Sequence, residues 1–189
     1  AYQHRKVKAG FNILLTAYSN LFVNDCMLPT GNLREPKSGA KRANVIVVTK
    51  CPDDLSDAEK SKIINEIKPL PHQSVFFSKI VYSKTVCNTQ GEKALTDFKT
   101  ESFTLVTGIA NAQPLVEYLK SQNLQFEHLN YSDHHEFSAE ELQLLNSKTC
   151  IITTEKDYVR LLPNLKNSSQ LYYLPIEMHI DDNIRFDAL

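Results

Sequence analysis

A chain of 189 residues that is 42% hydrophobic and 23% charged has the make-up of an ordinary globular protein, long enough for one large domain or two small ones. Its formal net charge of -1 offers no overall field to gather a polyanion, so no nucleic-acid partner is expected. No apolar run approaches the ~18 residues of a membrane span, and Cys26, Cys51, Cys87 and Cys150 are too scattered for a zinc site or a disulfide framework, so a soluble chain without a metal centre of its own is expected.

In chain order, the polar cluster Gln3-His4-Arg5-Lys6 precedes Phe11 to Ala17, which reads as a buried strand. Met27 to Pro36 is a loop punctuated by Pro and Gly, in which Arg34 and Glu35 form either an exposed ion pair or a phosphate ligand with its orienter. Asn44 to Lys50 is a β-branched run typical of a strand covered on both faces. Ser56 and Glu59 make a capping box that opens a helix ended by Pro69. This alternation marks an α/β fold. Ser74 to Tyr82 and Lys84 to Cys87 are strand-like without a helix between them, which predicts a two-stranded connector, followed by a polar loop to Glu101.

A second β-α series starts with the strand Phe103 to Thr107, the turn Gly108 to Asn111 and a helix from about Ala112 to Gln122, with Pro114 in its first turn. The half-buried strand ending at Leu129 runs into Asp133-His134-His135. That loop is fixed by a helix start in which Ser138 and Glu141 form a capping box and Phe137 and Leu142 a hydrophobic staple. The strand Thr149 to Thr153 precedes Thr154-Glu155-Lys156-Asp157, where Thr154 suits an N-cap, and Leu171 to Leu174 closes the series. With parallel strands, the Gly108, His134 and Thr154 loops emerge at one sheet edge, where open α/β sheets bind ligands. Two histidines between carboxylates make that loop the chemical centre, against the plainer reading of hydrogen-bonded loop residues.

Taken together, these residues resemble the tetraacyldisaccharide 4'-kinase (lipid A 4'-kinase) family. Ala1-Tyr2-Gln3-His4-Arg5 is similar to the end of its D-D-[GA]-[FY]-Q-H-R signature, and Leu28 to Pro36 to its L-P-x-G-x-L-R-E-P segment. Thr107 to Asn111, Asp133 to His135 and Thr154 to Asp157 are similar to S-G-I-A-N, D-H-H and T-E-K-D. Each is weak alone; five in order are specific. The resemblance implies a P-loop-kinase-like α/β/α architecture, with residues 1–73 as the rear of a nucleotide-binding domain, 74–102 as a β-ribbon connector and 103–189 as a smaller second α/β/α domain. It implies transfer of the ATP γ-phosphate, with Mg²⁺, to the 4'-hydroxyl of a tetraacyldisaccharide 1-phosphate, giving lipid IVA in lipid A biosynthesis. His134, Asp133 and His135 are then the catalytic candidates. Gln3, His4, Arg34, Glu35, Gly108, Asn111, Thr154, Glu155, Lys156 and Asp157 lie in the substrate or nucleotide vicinity.

The sequence departs from the family in holding no G-x-x-x-x-G-K-[ST] cradle and no paired aspartates ahead of Ala1, so a C-terminal portion, inactive alone, is expected. The implied place is the cytoplasmic face of the inner membrane, held there by a segment these residues do not include. A nucleotide domain present in part would leave an apolar face open to self-association. Two other readings fit D-H-H less well: a metal-dependent phosphoesterase, which needs further Asp or His ligands at strand ends, and a non-catalytic binding domain.

Overall fold

The structure, a computed structural model, describes residue 6 and residues 9–189. In chain order its elements are β1 (Ile13–Ala17), β2 (Val45–Thr49), α1 (Asp57–Ile67), β3 (Ser74–Tyr82), β4 (Thr85–Asn88), β5 (Gly91–Ala94), β6 (Phe103–Thr107) and α2 (Gln113–Ser121). They continue as β7 (Phe126–Asn130), α3 (Ala139–Asn146), β8 (Ile151–Thr154), α4 (Glu155–Leu161), β9 (Leu171–Leu174), β10 (Ile176–Ile180) and α5 (Asn183–Asp187). The described residues form two compact units, those up to residue 81 with 178–189, and residues 82–177.

In the first unit the sheet order is β1-β2-β3-β10, with β1, β2 and β3 parallel. All five residues of β2 are buried, the consequence of a β-branched run flanked by strands on both sides. Ile46, Val48 and Phe77 pack with Ile63 and Ile67 of α1 on one face, while Val45, Val47 and Phe76 meet Ile180 and Phe186 on the other. The Ser56–Glu59 capping box forms as expected, and α1 ends at Lys68 in the left-handed conformation, just before Pro69. Ile13 and Leu15, in register with Val45 and Val47, remain 40% and 60% exposed on strand β1.

The second unit carries a six-stranded sheet in the order β5-β4-β9-β8-β6-β7. Strands β7, β6, β8 and β9 are parallel, and the β4–β5 hairpin adds to β9 antiparallel. Leu105 and Ile152 point to the face covered by Leu115, Val116 and Leu119 of α2. Val106 and Ile151 point to the other, under Leu145 of α3 and Tyr158 and Leu161 of α4. This is a three-layer α/β/α sandwich. Right-handed crossovers require that division, because β6 to β7 and β7 to β8 run in opposite directions across the sheet.

Three features differ from the sequence reading. Strand β3 joins the first sheet beside β2, and β4 belongs to the second. The chain leaves the first unit between Val81 and Tyr82 and returns between Glu177 and Met178, so the two strands that carry it across are β3 and β10. Residues 178–189 accordingly belong to the first unit rather than to a domain running from 103 to 189. Strand β5, Gly-Glu-Lys-Ala, lies within the expected loop; its weak strand preference is overridden by the β4 pairing.

Leu105 is fully buried at the centre of the α2-side core. Leu105→Ala should lower the stability of the second unit by about 2–5 kcal/mol, read as a shift in its denaturant midpoint.

Candidate functional site

Strand order 7-6-8-9 in a sheet numbered 6 to 9 along the chain places the topological switch between β6 and β8. Such a reversal opens a crevice at the carboxyl ends of the strands. The residues there are Gly108, after β6, and the Thr154–Glu155 step from β8 into α4.

The carboxylate of Asp157, fully buried, closes this junction. Its Oδ2 accepts from Gly108 N at 2.8 Å and from Thr154 Oγ1 at 2.9 Å, and its Oδ1 from Arg160 Nη1 at 3.3 Å. Thr154 is the N-cap, its Oγ1 accepting from Asp157 N at 3.2 Å. A Cβ on residue 108 would lie 3.1 Å from Asp157 Oδ1 and 3.5 Å from Ser132 O, so a larger residue there would press on the buried carboxylate.

The same helix turn grips the histidine loop at two points. Lys156 Nζ donates to Asp133 Oδ1 at 2.7 Å, and Arg160 Nη2 donates to the carbonyl of His135. The base of the loop is tied to β6 by Tyr131 N donating to Thr107 O at 2.7 Å. The three sequence segments starting at Thr107, Asp133 and Thr154 are therefore one hydrogen-bonded assembly within the second unit.

The adjacent histidines diverge. His134, at a φ of 59°, has a side chain 78% exposed, with Nε2 3.8 Å from Asp133 Oδ2, too far for a hydrogen bond. His135 turns inward, donating from Nε2 to Glu141 Oε2 at 2.8 Å and stacking on Tyr131 with centroids 4.7 Å apart. Glu141 also accepts from Ser138 N, completing the predicted capping box, so one carboxylate holds both the helix start and the second histidine. The Lys156 ammonium is the main cause lowering the Asp133 pKa, and the His135 hydrogen bond the main cause lowering that of Glu141.

The other sequence candidates fall elsewhere. Asn111 Oδ1 accepts from Gln113 N at 3.1 Å and shapes the entry to α2, and Glu155 is an exposed first residue of α4. Gln3 and His4 lie outside the described residues. Arg34 and Glu35, in the first unit, do not pair: Arg42 Nη2 donates to both oxygens of Glu35 at 3.0 Å, which leaves Glu35 orienting Arg42 rather than Arg34. Arg34 is exposed on a cleft of about 210 Å³ floored by Leu14, Phe22 and Leu33.

Two residues escaped the sequence reading. Arg160 stands three residues after Asp157, a spacing that juxtaposes an acid and a base on a helix and could have flagged it. Asp25 organises the loop before Arg34, accepting from Cys26 N at 2.7 Å and Asn32 N at 3.1 Å, and nothing local in the sequence marks it. Gly31 sits against that turn, where a Cβ would come within 2.3 Å of Cys26 O.

Among the described residues no group of three or more His, Cys, Asp or Glu side chains is arranged to hold a metal ion, so the donor set of a metal-dependent phosphoesterase is not found beside His134. Among them, too, no helix is long and apolar enough to cross a membrane.

The family model for tetraacyldisaccharide-1-P 4'-kinase matches residues 1–189. The chain belongs to the tetraacyldisaccharide 4'-kinase family. Curated 4'-kinases from Flavobacterium johnsoniae and Flavobacterium psychrophilum are 50% and 47% identical to it over 180 and 193 residues. One from Bacteroides fragilis is 37% identical over 201. These alignments cover 94%, 99% and 97% of this chain but 52%, 55% and 54% of the relatives, so the chain spans about half the length of the 4'-kinases it matches. A solved structure, the "apo" form of LpxK from Aquifex aeolicus in complex with ATP, superposes with a TM-score of 0.66 at 20% identity. It covers 99% of this chain and 53% of its own, a likeness of fold.

Both lowered carboxylates hold the loop in their charged form. Their stabilisation is complete above the unfolded pKa, 3.8 for an Asp and 4.5 for a Glu, and is lost as pH falls through the lower folded values. The loop should stay ordered to about pH 4 and loosen below it, measured by hydrogen exchange of the His134 and His135 amides.

Proposed function

We propose that this chain works as part of a tetraacyldisaccharide 4'-kinase, with His134 as the group that takes the proton from the sugar 4'-hydroxyl. The observation that carries this reading is the division of labour in the loop. Asp133 is held by Lys156, the His135 ring by Glu141 and the His135 carbonyl by Arg160, while the His134 imidazole stands 78% exposed on that fixed base. A neutral sugar hydroxyl is a weak nucleophile, and an exposed imidazole nitrogen on a fixed loop is suited to accept its proton as the bond to phosphorus forms. Asp133 stabilises the imidazolium by charge and secures the loop; His135 is the anchor.

ATP supplies the phosphoryl group on this reading, supported by the family match and by the ATP complex of the related fold. The chain holds no glycine-rich phosphate cradle, and its described residues offer no cluster of donors for Mg²⁺, so no step is assigned to either through these residues. The proposal gives those tasks to sequence beyond the 189 residues, in the first unit's domain, and the isolated chain is then inactive. Arg34, with its exposed guanidinium beside an apolar cleft, suits a phosphate on a lipid substrate. The place of action is the cytoplasmic face of the inner membrane, where such a lipid presents its headgroup.

His134→Ala in the full-length protein should lower kcat by roughly 10² to 10⁴ with little change in KM for ATP, measured by steady-state kinetics. His135→Ala should act through the loop instead, removing the Glu141 and Tyr131 contacts and lowering thermal stability. A folded His134→Ala protein with full kcat would return that histidine to a surface role. The exposed Ile13 and Leu15 support self-association of the isolated chain. Sedimentation velocity should show mass rising with concentration, an effect that Leu15→Ser weakens.

A further inference from the structure

The first unit contains a second cleft, distinct from the surroundings of His134, whose chemistry is that of an amphiphile receptor. Its volume is about 280 Å³, and Phe22, Ile46, Ile67 and Leu70 give it an apolar floor. Three exposed lysines, Lys37, Lys41 and Lys68, ring it, and no carboxylate is among its lining residues. In a chain with a net charge of -1, three ammonium groups around one apolar floor are a local departure from the overall balance.

The walls are fixed before any ligand arrives. Gln73 Nε2 donates to the carbonyls of Ala40 and Ala43 at 2.8 and 2.9 Å, while its Oε1 accepts from Leu70 N at 2.9 Å. Its amide is thus committed to clamping the turn before β3 onto the basic segment Lys37–Arg42. Lys37 Nζ donates to Val23 O at 2.6 Å, which places the ammonium at the rim with two N–H groups still to give. Lys68 is delivered by the left-handed end of α1, where a cation is also favoured by the helix dipole.

We propose that this cleft seats the headgroup of an anionic bilayer phospholipid, the lysines meeting the phosphate and the apolar floor meeting the first methylenes of the acyl chains. The volume is just under the ~300 Å³ at which enclosed small-molecule sites begin, which suits a headgroup lying in a surface cleft. A free phosphate would leave the floor unused, and a nucleic acid would need a longer basic track than three residues provide. Juxtamembrane lysines each strengthen binding to an anionic surface severalfold, so three together supply on the order of a hundredfold. The inference goes beyond the His134 chemistry and does not depend on it.

The test is sedimentation of the full chain with phosphatidylcholine vesicles, with and without phosphatidylglycerol. Wild type should bind only the anionic vesicles, and Lys37→Gln/Lys41→Gln/Lys68→Gln should lower that affinity about a hundredfold with an unchanged circular dichroism spectrum. The charge-matched control Lys84→Gln/Lys99→Gln/Lys120→Gln, on exposed positions of the second unit, should retain binding. Equal loss in the control, binding to neutral vesicles, no binding to either vesicle, or full displacement by inorganic phosphate would each overturn the proposal. Binding retained by the first triple variant would overturn it too.

Discussion

Everything about the candidate site depends on one buried carboxylate. Asp157 has no exposure to water, and a charge so placed is tolerated only where its lone pairs are filled. Here they are filled by a backbone N–H from the end of β6, a hydroxyl from the end of β8 and a guanidinium from the next turn of α4. Because the donors come from both sides of the switch point, Asp157 fixes the width of the crevice. Removing any one donor leaves a buried acceptor short of a partner, at a cost of about 1–3 kcal/mol. The Arg160 guanidinium extends the constraint to the His135 carbonyl, so the geometry of the histidine loop is inherited from the sheet rather than set by the loop itself.

That inheritance explains how an irregular segment can hold one side chain in the open. Loops carry function when a rigid scaffold positions them. Residues 131–138 are attached to β6 through Tyr131, to α4 through Asp133 and the His135 carbonyl, and to α3 through Glu141. The left-handed φ of His134 is the turn that sends neighbouring imidazoles in opposite directions, one into the Tyr131 stack and one outward.

The parts of this architecture legible in the sequence are those whose cause is local. The runs Val45–Thr49, Phe103–Thr107 and Ile151–Thr154 are β-branched and apolar because they are covered on both faces, and the capping boxes at Ser56 and Ser138 announce their helices outright. The illegible parts are non-local. Nothing in Ile-Glu-Met-His-Ile reveals that β10 will lie beside β3, since four of its five residues are exposed and its place is set by a strand some hundred positions earlier. Asp157 reads as an ordinary first-turn acid, because burial of a carboxylate depends on donors from Gly108 and Arg160 that only the folded chain assembles. The segments at Thr107, Asp133 and Thr154 were visible; the bonds joining them were not.

Ser83 N donates to Pro175 O at 3.0 Å, so the two ends of the second unit are pinned together where the chain enters and leaves it. The unit is topologically an insertion: residues 82–177 are a closed excursion from the chain of the first. Once it has folded, bringing β10 back beside β3 no longer requires closing a long flexible loop. Shrinking the effective loop to a few residues recovers roughly 3 kcal/mol of chain entropy. The second unit thereby acts as a staple for the sheet it interrupts, and evolution or an engineer could exchange its contents for any module whose ends meet at the same spacing.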